Sequence, residues 1–236
     1  MTEELFREDA YSRTCEAVVT AADARGIQLD RSVFYPMGGG QPGDSGTLNT
    51  ADGRSVAIAD TVKDRETGDH LHVPADGAPA LAVGDRVTAE IDWDRRYRLM
   101  RMHTCLHLLC AVVPGAVTGG SVGEAKGRLD FDIPEPTLDK EAIEADLNRL
   151  IAEDRAVSFS WITDDELAAN PDLVRTMSVQ PPSGQGRVRV INVDGADLQP
   201  CGGTHVRSTG EIGPVRLGKI EKKGRQNRRV NVHFDE

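Results

Sequence analysis

At 236 residues, with 39% hydrophobic and 28% charged side chains, the chain has the make-up of an ordinary globular protein with room for two modest cores, and its composition excludes fibrous and low-complexity architectures. A formal net charge of −10 argues against holding nucleic acid by bulk electrostatics, so any such partner must meet local basic surfaces. No run approaches the ~18 apolar residues of a membrane span and the N-terminus is acidic rather than signal-like, which points to the cytoplasm with no membrane partner.

Residues 15–20, 26–30, 55–61, 70–73 and 86–91 are short β-prone segments separated by Gly, Asp, Asn and Pro turn signals. Several short strands without helices close most naturally into a small barrel. Between them lies Phe34-Tyr-Pro-Met-Gly-Gly-Gly-Gln-Pro-Gly-Asp-Ser-Gly46, too glycine-dense for the interior of a helix or strand. It is either a structural turn of the barrel or a stretch of backbone that approaches a ligand closely. A boundary near Ile91-Asp-Trp-Asp94 divides the chain into residues 1–93 and 94–236. Beyond it, apolar residues recur at three- and four-residue spacing from 95 to 110, predicting a helix that Pro114-Gly115 stops. Then come a strand at 126–132 and an amphipathic helix at 136–151 with Ile143, Leu147, Leu150 and Ile151 on one stripe. Strands follow at 157–162, 187–193, 215–221 and 229–234, with a short helix around 164–169. The fold class is α+β: a small N-terminal β-barrel, then a domain of helices packed on antiparallel sheet.

The predicted helix carries His103-Thr-Cys-Leu-His107, and about a hundred residues later the chain has Cys201-Gly-Gly-Thr-His205. Histidines at i and i+4 project from one helix face about 6 Å apart at Cβ, a span that one metal ion bridges. Three imidazoles and a thiolate suit a borderline-soft cation, so His103, His107, Cys201 and His205 are the candidate ligands of a Zn²⁺ ion. An isolated His-x3-His is more often two ordinary helix histidines; the Cys-x3-His partner reverses that balance. Pro200 and the two glycines favour a turn there, so a loop closes onto the helix. Cys105 points away from this face, and Cys15 and Cys110 read as small core residues. Four irregularly spaced cysteines make no disulfide framework and suit a reducing compartment.

Charge is unevenly placed. Lys219, Lys222, Lys223, Arg225, Arg228 and Arg229 fall within eleven residues, and Arg95, Arg96, Arg98 and Arg101 crowd the start of the metal helix. Each cluster is either a solvated face or a surface for phosphates.

The glycine segment 34–46, His103-Thr-Cys-Leu-His-Leu-Leu109, Gly127-Arg-Leu-Asp-Phe-Asp132 and Cys201-Gly-Gly-Thr-His205 together resemble the editing domain of alanyl-tRNA synthetase, and the chain is most similar to the freestanding AlaX-type trans-editing proteins. The motifs stand in family order across most of the chain. The resemblance implies that the three histidines and Cys201 bind zinc, and that an N-terminal barrel bears a diglycine motif beside the editing site, which brings Gly38, Gly39 and Gly40 into the substrate-binding set. It implies hydrolysis of mischarged tRNA(Ala), chiefly seryl-tRNA and next glycyl-tRNA. The resemblance implies the freestanding form, for which no alanine-activating domain is expected, and Cys105 stands where the family pattern suggests a smaller residue such as alanine.

Ester hydrolysis needs a water nucleophile, oxyanion stabilisation and a protonated leaving oxygen. A zinc ion serves the first two, or it only positions the substrate amino group; both alternatives stand. No His-Glu-x-x-His glutamate is present, so no general base is assigned, and Glu124 and Asp130 read as exposed turn or strand carboxylates. Thr104, Thr118, Ser121 and Thr204 are the candidates for reading the serine hydroxyl, with Thr118 in a loop at 117–121. Phe34, Tyr35 and Tyr97 are candidate stacking surfaces for an acceptor end, and Lys219, Lys222, Lys223, Arg225 and Arg228 for phosphate contact. Two competing readings are a zinc-stabilised module that binds tRNA or protein without chemistry, and a hydrolase of small aminoacyl esters or amides. An accessible metal face separates the first from an enzyme, and indifference to the basic tail marks the second.

Overall fold

A computed structural model describes residues 2–133, 138–175 and 186–235. The chain forms two compact units, Met1–Tyr97 and Arg98–Glu236. The first begins with β1 (Glu3–Glu4), followed by β2 (Thr14–Asp23), β3 (Gly26–Leu29), β4 (Arg31–Ser32), β5 (Gly46–Thr50), β6 (Ser55–Lys63), β7 (His70–Pro74) and β8 (Arg86–Ile91). Six of these close a barrel in the order β2-β3-β7-β6-β5-β8, and every pairing in it is antiparallel. β1 and β4 form a separate parallel pair. Along β6 the alternation is plain: Val56 and Ile58 are buried while Ser55, Ala57 and Ala59 face outward, as the two-residue period of a strand requires. Val19, Leu29, Phe34, Leu48, Val56, Val87 and Ala89 fill the interior.

The expected strands of this region are present, but β5 was missing from the sequence reading. Only Leu48 of Gly46-Thr-Leu-Asn-Thr50 is buried, so a polar strand directly after a glycine segment has no hydrophobic signature of its own. Its pairings with β6 and β8 make it a strand.

The glycine segment makes a tight turn. Gly38 and Gln41 exchange both backbone hydrogen bonds, at 3.1 and 2.9 Å. Gly39 and Gly40 between them have φ of +55° and +83°, the left-handed pair that suits glycine. Behind the turn, Asp44 accepts from the Tyr35 amide at 2.6 Å and from Arg96 Nε at 2.9 and 3.0 Å. Arg96 also donates to the carbonyls of Ala10 and Val33. Both charged residues are essentially inaccessible, so the pair is a buried bolt of the first unit.

α1 (Trp93–Val112) crosses into the second unit. The predicted helix is present, and its residues from Met102 to Cys110 are buried without interruption. β9 (Ala116–Ser121) and β10 (Lys126–Asp132) follow, then α2 (Lys140–Ala152), β11 (Val157–Thr163), α3 (Asp164–Ala169), β12 (Arg187–Val193), β13 (Asp197–Pro200), β14 (Val215–Leu217), β15 (Glu221–Lys222) and β16 (Asn227–Phe234). One antiparallel sheet runs β14-β16-β10-β9 with β15 also on β16, and a second runs β11-β12-β13. The predicted loop at 117–121 is the strand β9: its glycines hid it, yet Gly120 is where a Cβ would stand 2.8 Å from Leu129 Cδ2 of the neighbouring strand. The predicted strand 215–221 is broken between β14 and β15. Of the helix expected at 136–151, residues 136 and 137 lie outside the described residues. α2 begins at Lys140 because the Asp139 carboxylate caps it, accepting from the Ala142 amide. Its stripe of Ile143, Leu147, Leu150 and Ile151 is buried. Asn148 exchanges two hydrogen bonds with Val215, at 2.8 and 3.0 Å, which docks the helix on β14.

Candidate metal centre

α1 holds His103 and His107 one turn apart on one face, as the i, i+4 spacing requires. The other two residues come from the chain leaving β13. β13 pairs with β12 through Val190–Pro200, and the Cys201 amide continues the ladder by donating to the Arg189 carbonyl at 3.0 Å. The strand then ends, and the backbone folds so that Cys201 and His205 both face α1. The four ligand atoms of His103, His107, Cys201 and His205 lie within 4.8 Å of one another.

Cys201 Sγ is 3.6 Å from His103 Nε2 and 3.3 Å from His205 Nε2. A tetrahedral metal with nitrogen and sulfur ligands at roughly 2.0–2.3 Å has them about 3.3–3.8 Å apart, so the separations fit one shared ion. The histidine orientations agree. His107 Nδ1 lies 3.1 Å from Asp197 Oδ2, so a proton there is donated to the carboxylate and leaves Nε2 for the cluster. His205 Nδ1 lies 3.1 Å from Thr104 Oγ1, and with its proton on Nδ1 it too turns a lone pair inward. Gln199 donates to the same Asp197 oxygen at 2.7 Å, holding the carboxylate in place. The residues present therefore fit a metal.

Burial by itself raises the Cys201 thiol, but the charges of His103 and His205 outweigh it and hold the group well below its usual range. The Gly203 amide also points at the sulfur, 3.4 Å away. Burial would lower His107, yet its hydrogen bonds to Asp197 and Cys201 push it up to about 9. Burial and the neighbouring His103 hold His205 well below the ordinary imidazole value. The histidines are buried while Cys201 remains partly exposed. Cys105 is wholly buried outside the cluster, its thiol pushed up to about 12 by burial, as is that of Cys110.

The remaining candidates are dispersed. Thr104 is buried beside the cluster, but its hydroxyl is engaged by His205 and by the Val206 amide at 3.3 Å. Thr204 is also fully buried. Thr118 donates to the Asp130 carbonyl and accepts from Asn227. Ser121 is exposed at the end of β9. Gly38, Gly39 and Gly40 belong to the barrel unit. Asp130 is bound by both nitrogens of Arg229 that face it, at 2.7 and 2.8 Å, and by Arg128 at 2.7 Å. Arg229 and then Arg128 keep its carboxyl low, the opposite of a base poised near neutrality. Glu124 is exposed.

Of the basic tail, Lys219, Lys222, Lys223 and Arg225 are exposed, with Lys223 paired to Glu221 at 2.6 Å. Arg228 is buried and donates to the carbonyls of Gly224 and Asn227, so it holds its own hairpin instead of presenting a charge to solvent. The arginines at the start of α1 are likewise not one basic surface. Arg96 is bolted to Asp44, Arg95 donates to the Gly43 carbonyl, and Arg101 donates to Ile212 and covers the Phe234 ring. Phe34 and Tyr35 are buried, and Tyr97 stacks on Trp93. Among the described residues no helix is long and apolar enough to cross a membrane.

Asp197 was not singled out from the sequence. The available signal was a carboxylate four residues before a ligand cysteine, on a segment otherwise entering a core.

Residues 188–231 match the family described as the threonyl and alanyl tRNA synthetase second additional domain, and residues 7–95 match class II (A) tRNA synthetases. The chain is 37% identical to the alanyl-tRNA editing protein AlaX-M of Methanosarcina acetivorans, covering 98% of both chains. It is 34% identical to the AlaX-M protein of Saccharolobus solfataricus, again over 98% of both. The alanine–tRNA ligase of Sulfurisphaera tokodaii is 34% identical over 94% of this chain but only 25% of its own length.

Proposed function

The chain belongs to the AlaX-M family of alanyl-tRNA editing proteins, and on that basis we propose that it is a trans-acting deacylase that hydrolyses mischarged tRNA(Ala) at the three-histidine, one-cysteine centre. The observation that carries the reading is the convergence of four ligand atoms within 4.8 Å, two from α1 and two from the turn after β13. The proposed metal is Zn²⁺, because three neutral imidazoles and a thiolate suit its borderline softness and tetrahedral habit. Bound there, it would supply a Lewis-acidic charge for the ester or an anchor for the substrate amino group.

The protein's own groups have definable tasks. Asp197 fixes the tautomer and direction of His107, with Gln199 steadying the carboxylate. Thr104 holds the direction of the His205 ring, which favours an orienting task over recognition of the serine hydroxyl. No side chain is assigned as general base: Asp130 is neutralised by two arginines, and a ribose hydroxyl of the substrate is the remaining relay. The proposed substrates are seryl-tRNA(Ala), then glycyl-tRNA(Ala). Gly38, Gly39 and Gly40, with Thr118, Ser121 and Thr204, remain proposed substrate neighbours, and Lys219, Lys222, Lys223 and Arg225 proposed phosphate contacts.

The test is the deacylation of seryl-, glycyl- and alanyl-tRNA(Ala) by wild type and Cys201→Ala at measured metal content. Rapid loss of serine with alanine retained, abolished in the variant, is the expected result. No hydrolysis by metal-replete protein would leave the binding module in its place.

A further inference from the structure

Arg189, on β12, is a buried residue that no motif marks. It stands directly opposite Cys201 where the β12–β13 ladder ends, its own carbonyl accepting the Cys201 amide. Its Nη1 reaches around to the carbonyls of Cys201 at 3.2 Å and Gly203 at 2.9 Å. Its guanidinium lies 4.7 Å from the centroid of the Phe159 ring on β11.

Two carbonyls two residues apart point at one nitrogen only if the backbone between them curls. Their negative ends then approach each other, an arrangement that opposes itself unless a cation sits between them. That curl turns Sγ back toward His103 and His205, and it places the Gly203 amide on the sulfur. Lysine would keep a cation but lose the planar group that lies against the Phe159 ring and fixes the position of Nη1, and an uncharged residue would leave the converging carbonyls without their donor.

We propose that Arg189 is the positioning residue of the cysteine limb of the metal centre: it clamps the Cys201–Gly203 turn so that the thiolate meets the three imidazoles, as Asp197 and Thr104 orient His107 and His205. This rests on the metal-centre reading above. It assigns Arg189 no contact with substrate.

The test uses the full chain with Co²⁺ as a spectroscopic probe. Thiolate-to-cobalt charge-transfer absorption and chelator-competed affinity are measured for wild type, Arg189→Lys and Arg189→Met, with thermal unfolding in chelator as the measure of fold. Wild type should show the charge-transfer band, and its absence would sink the metal-centre reading itself, independently of Arg189. Given the band, Arg189→Met should lose affinity by about 10–100-fold, the usual effect of removing a group that orients a ligand, with a weakened or shifted band. Arg189→Lys should fall between the two. Unchanged affinity and band in Arg189→Met overturn the proposal, as does a loss of metal-free stability with the band and affinity intact. If Arg189→Met does not fold, Arg189→Lys decides on the same readout: a reduced affinity sustains the clamp and a wild-type value overturns it.

Discussion

His107 has two ring nitrogens, and Asp197 decides which of them can face a metal. Replacing Asp197 with Ala removes that control without touching a ligand. Metal affinity, measured by chelator competition, should drop about 10–100-fold, and an unchanged affinity would show that the helix alone orients the ring. Arg96 shows the same dependence of a side chain on its partner, in service of stability. It is wholly buried, and its removal strands Asp44. Arg96→Met should therefore cost about 3–5 kcal/mol, read as a shift of the denaturant midpoint at constant slope. A cost within the range of an ordinary surface change would mean that water reaches Asp44.

Among the elements, the glycine segment separates two uses of one residue type. Gly39 needs its left-handed φ, but a Cβ there meets nothing within 4 Å, so Gly39→Ala should cost only about 1 kcal/mol. At Gly43 a Cβ would lie 1.9 Å from the Thr61 carbonyl oxygen of β6, meeting backbone and not the end of a flexible side chain. Gly43→Ala should then cost more, on the order of 1–3 kcal/mol or beyond, because backbone must move. Thermal unfolding of the two variants side by side checks the order, and equal costs would contradict it. Gly127 on β10 is a third case: a Cβ there would meet Met102 Sδ at 2.6 Å, so the motif glycine lets the strand approach the metal helix. The strands and helices with a clear period were readable from the sequence, as α2 shows with its buried stripe of Ile143, Leu147, Leu150 and Ile151. β5, β9 and β13 were not, because a polar, glycine-rich or four-residue strand draws its identity from the neighbour it pairs with.

For the molecule as a whole, acid stability should be limited in part by the barrel interior. Burial, reinforced by the neighbouring His70, lowers His72 to about 3, and its ring joins Ser32 to the Ile27 carbonyl. A histidine held neutral in the fold but free to protonate when unfolded leaves stability intact above its unfolded value near 6.5. Stability is then lost progressively as pH falls from there toward 3, by about 1.4 kcal/mol per pH unit. Denaturant midpoints at pH 7, 6 and 5 should fall in wild type and less steeply in His72→Gln; parallel slopes would remove His72 from the account. The net charge of −10 leaves only local basic surface for RNA, and the exposed Lys219, Lys222, Lys223 and Arg225 are the proposed part of it. Changing these four to Ser should weaken deacylation of tRNA by about tenfold and lower its salt sensitivity, while cleavage of a small aminoacyl ester continues unchanged. Equal loss on both substrates would place them nearer the chemistry.

The four residues of the candidate metal centre were legible because chelation imposes spacing on the chain: i, i+4 on a helix and Cys-x3-His in a turn are local patterns, each readable within five residues. The barrel was legible as a class because a two-residue hydrophobic period survives without knowledge of its partners. What only the tertiary structure decided is which charges are available. Arg96, Arg228 and Arg229 look like their exposed neighbours in sequence, yet one is bolted to Asp44, one holds its own hairpin and one neutralises Asp130. Asp197 and Arg189 were silent for the same reason. A charged side chain acquires its task from the donor or acceptor that folding brings to it across tens of residues, and no local period records that meeting.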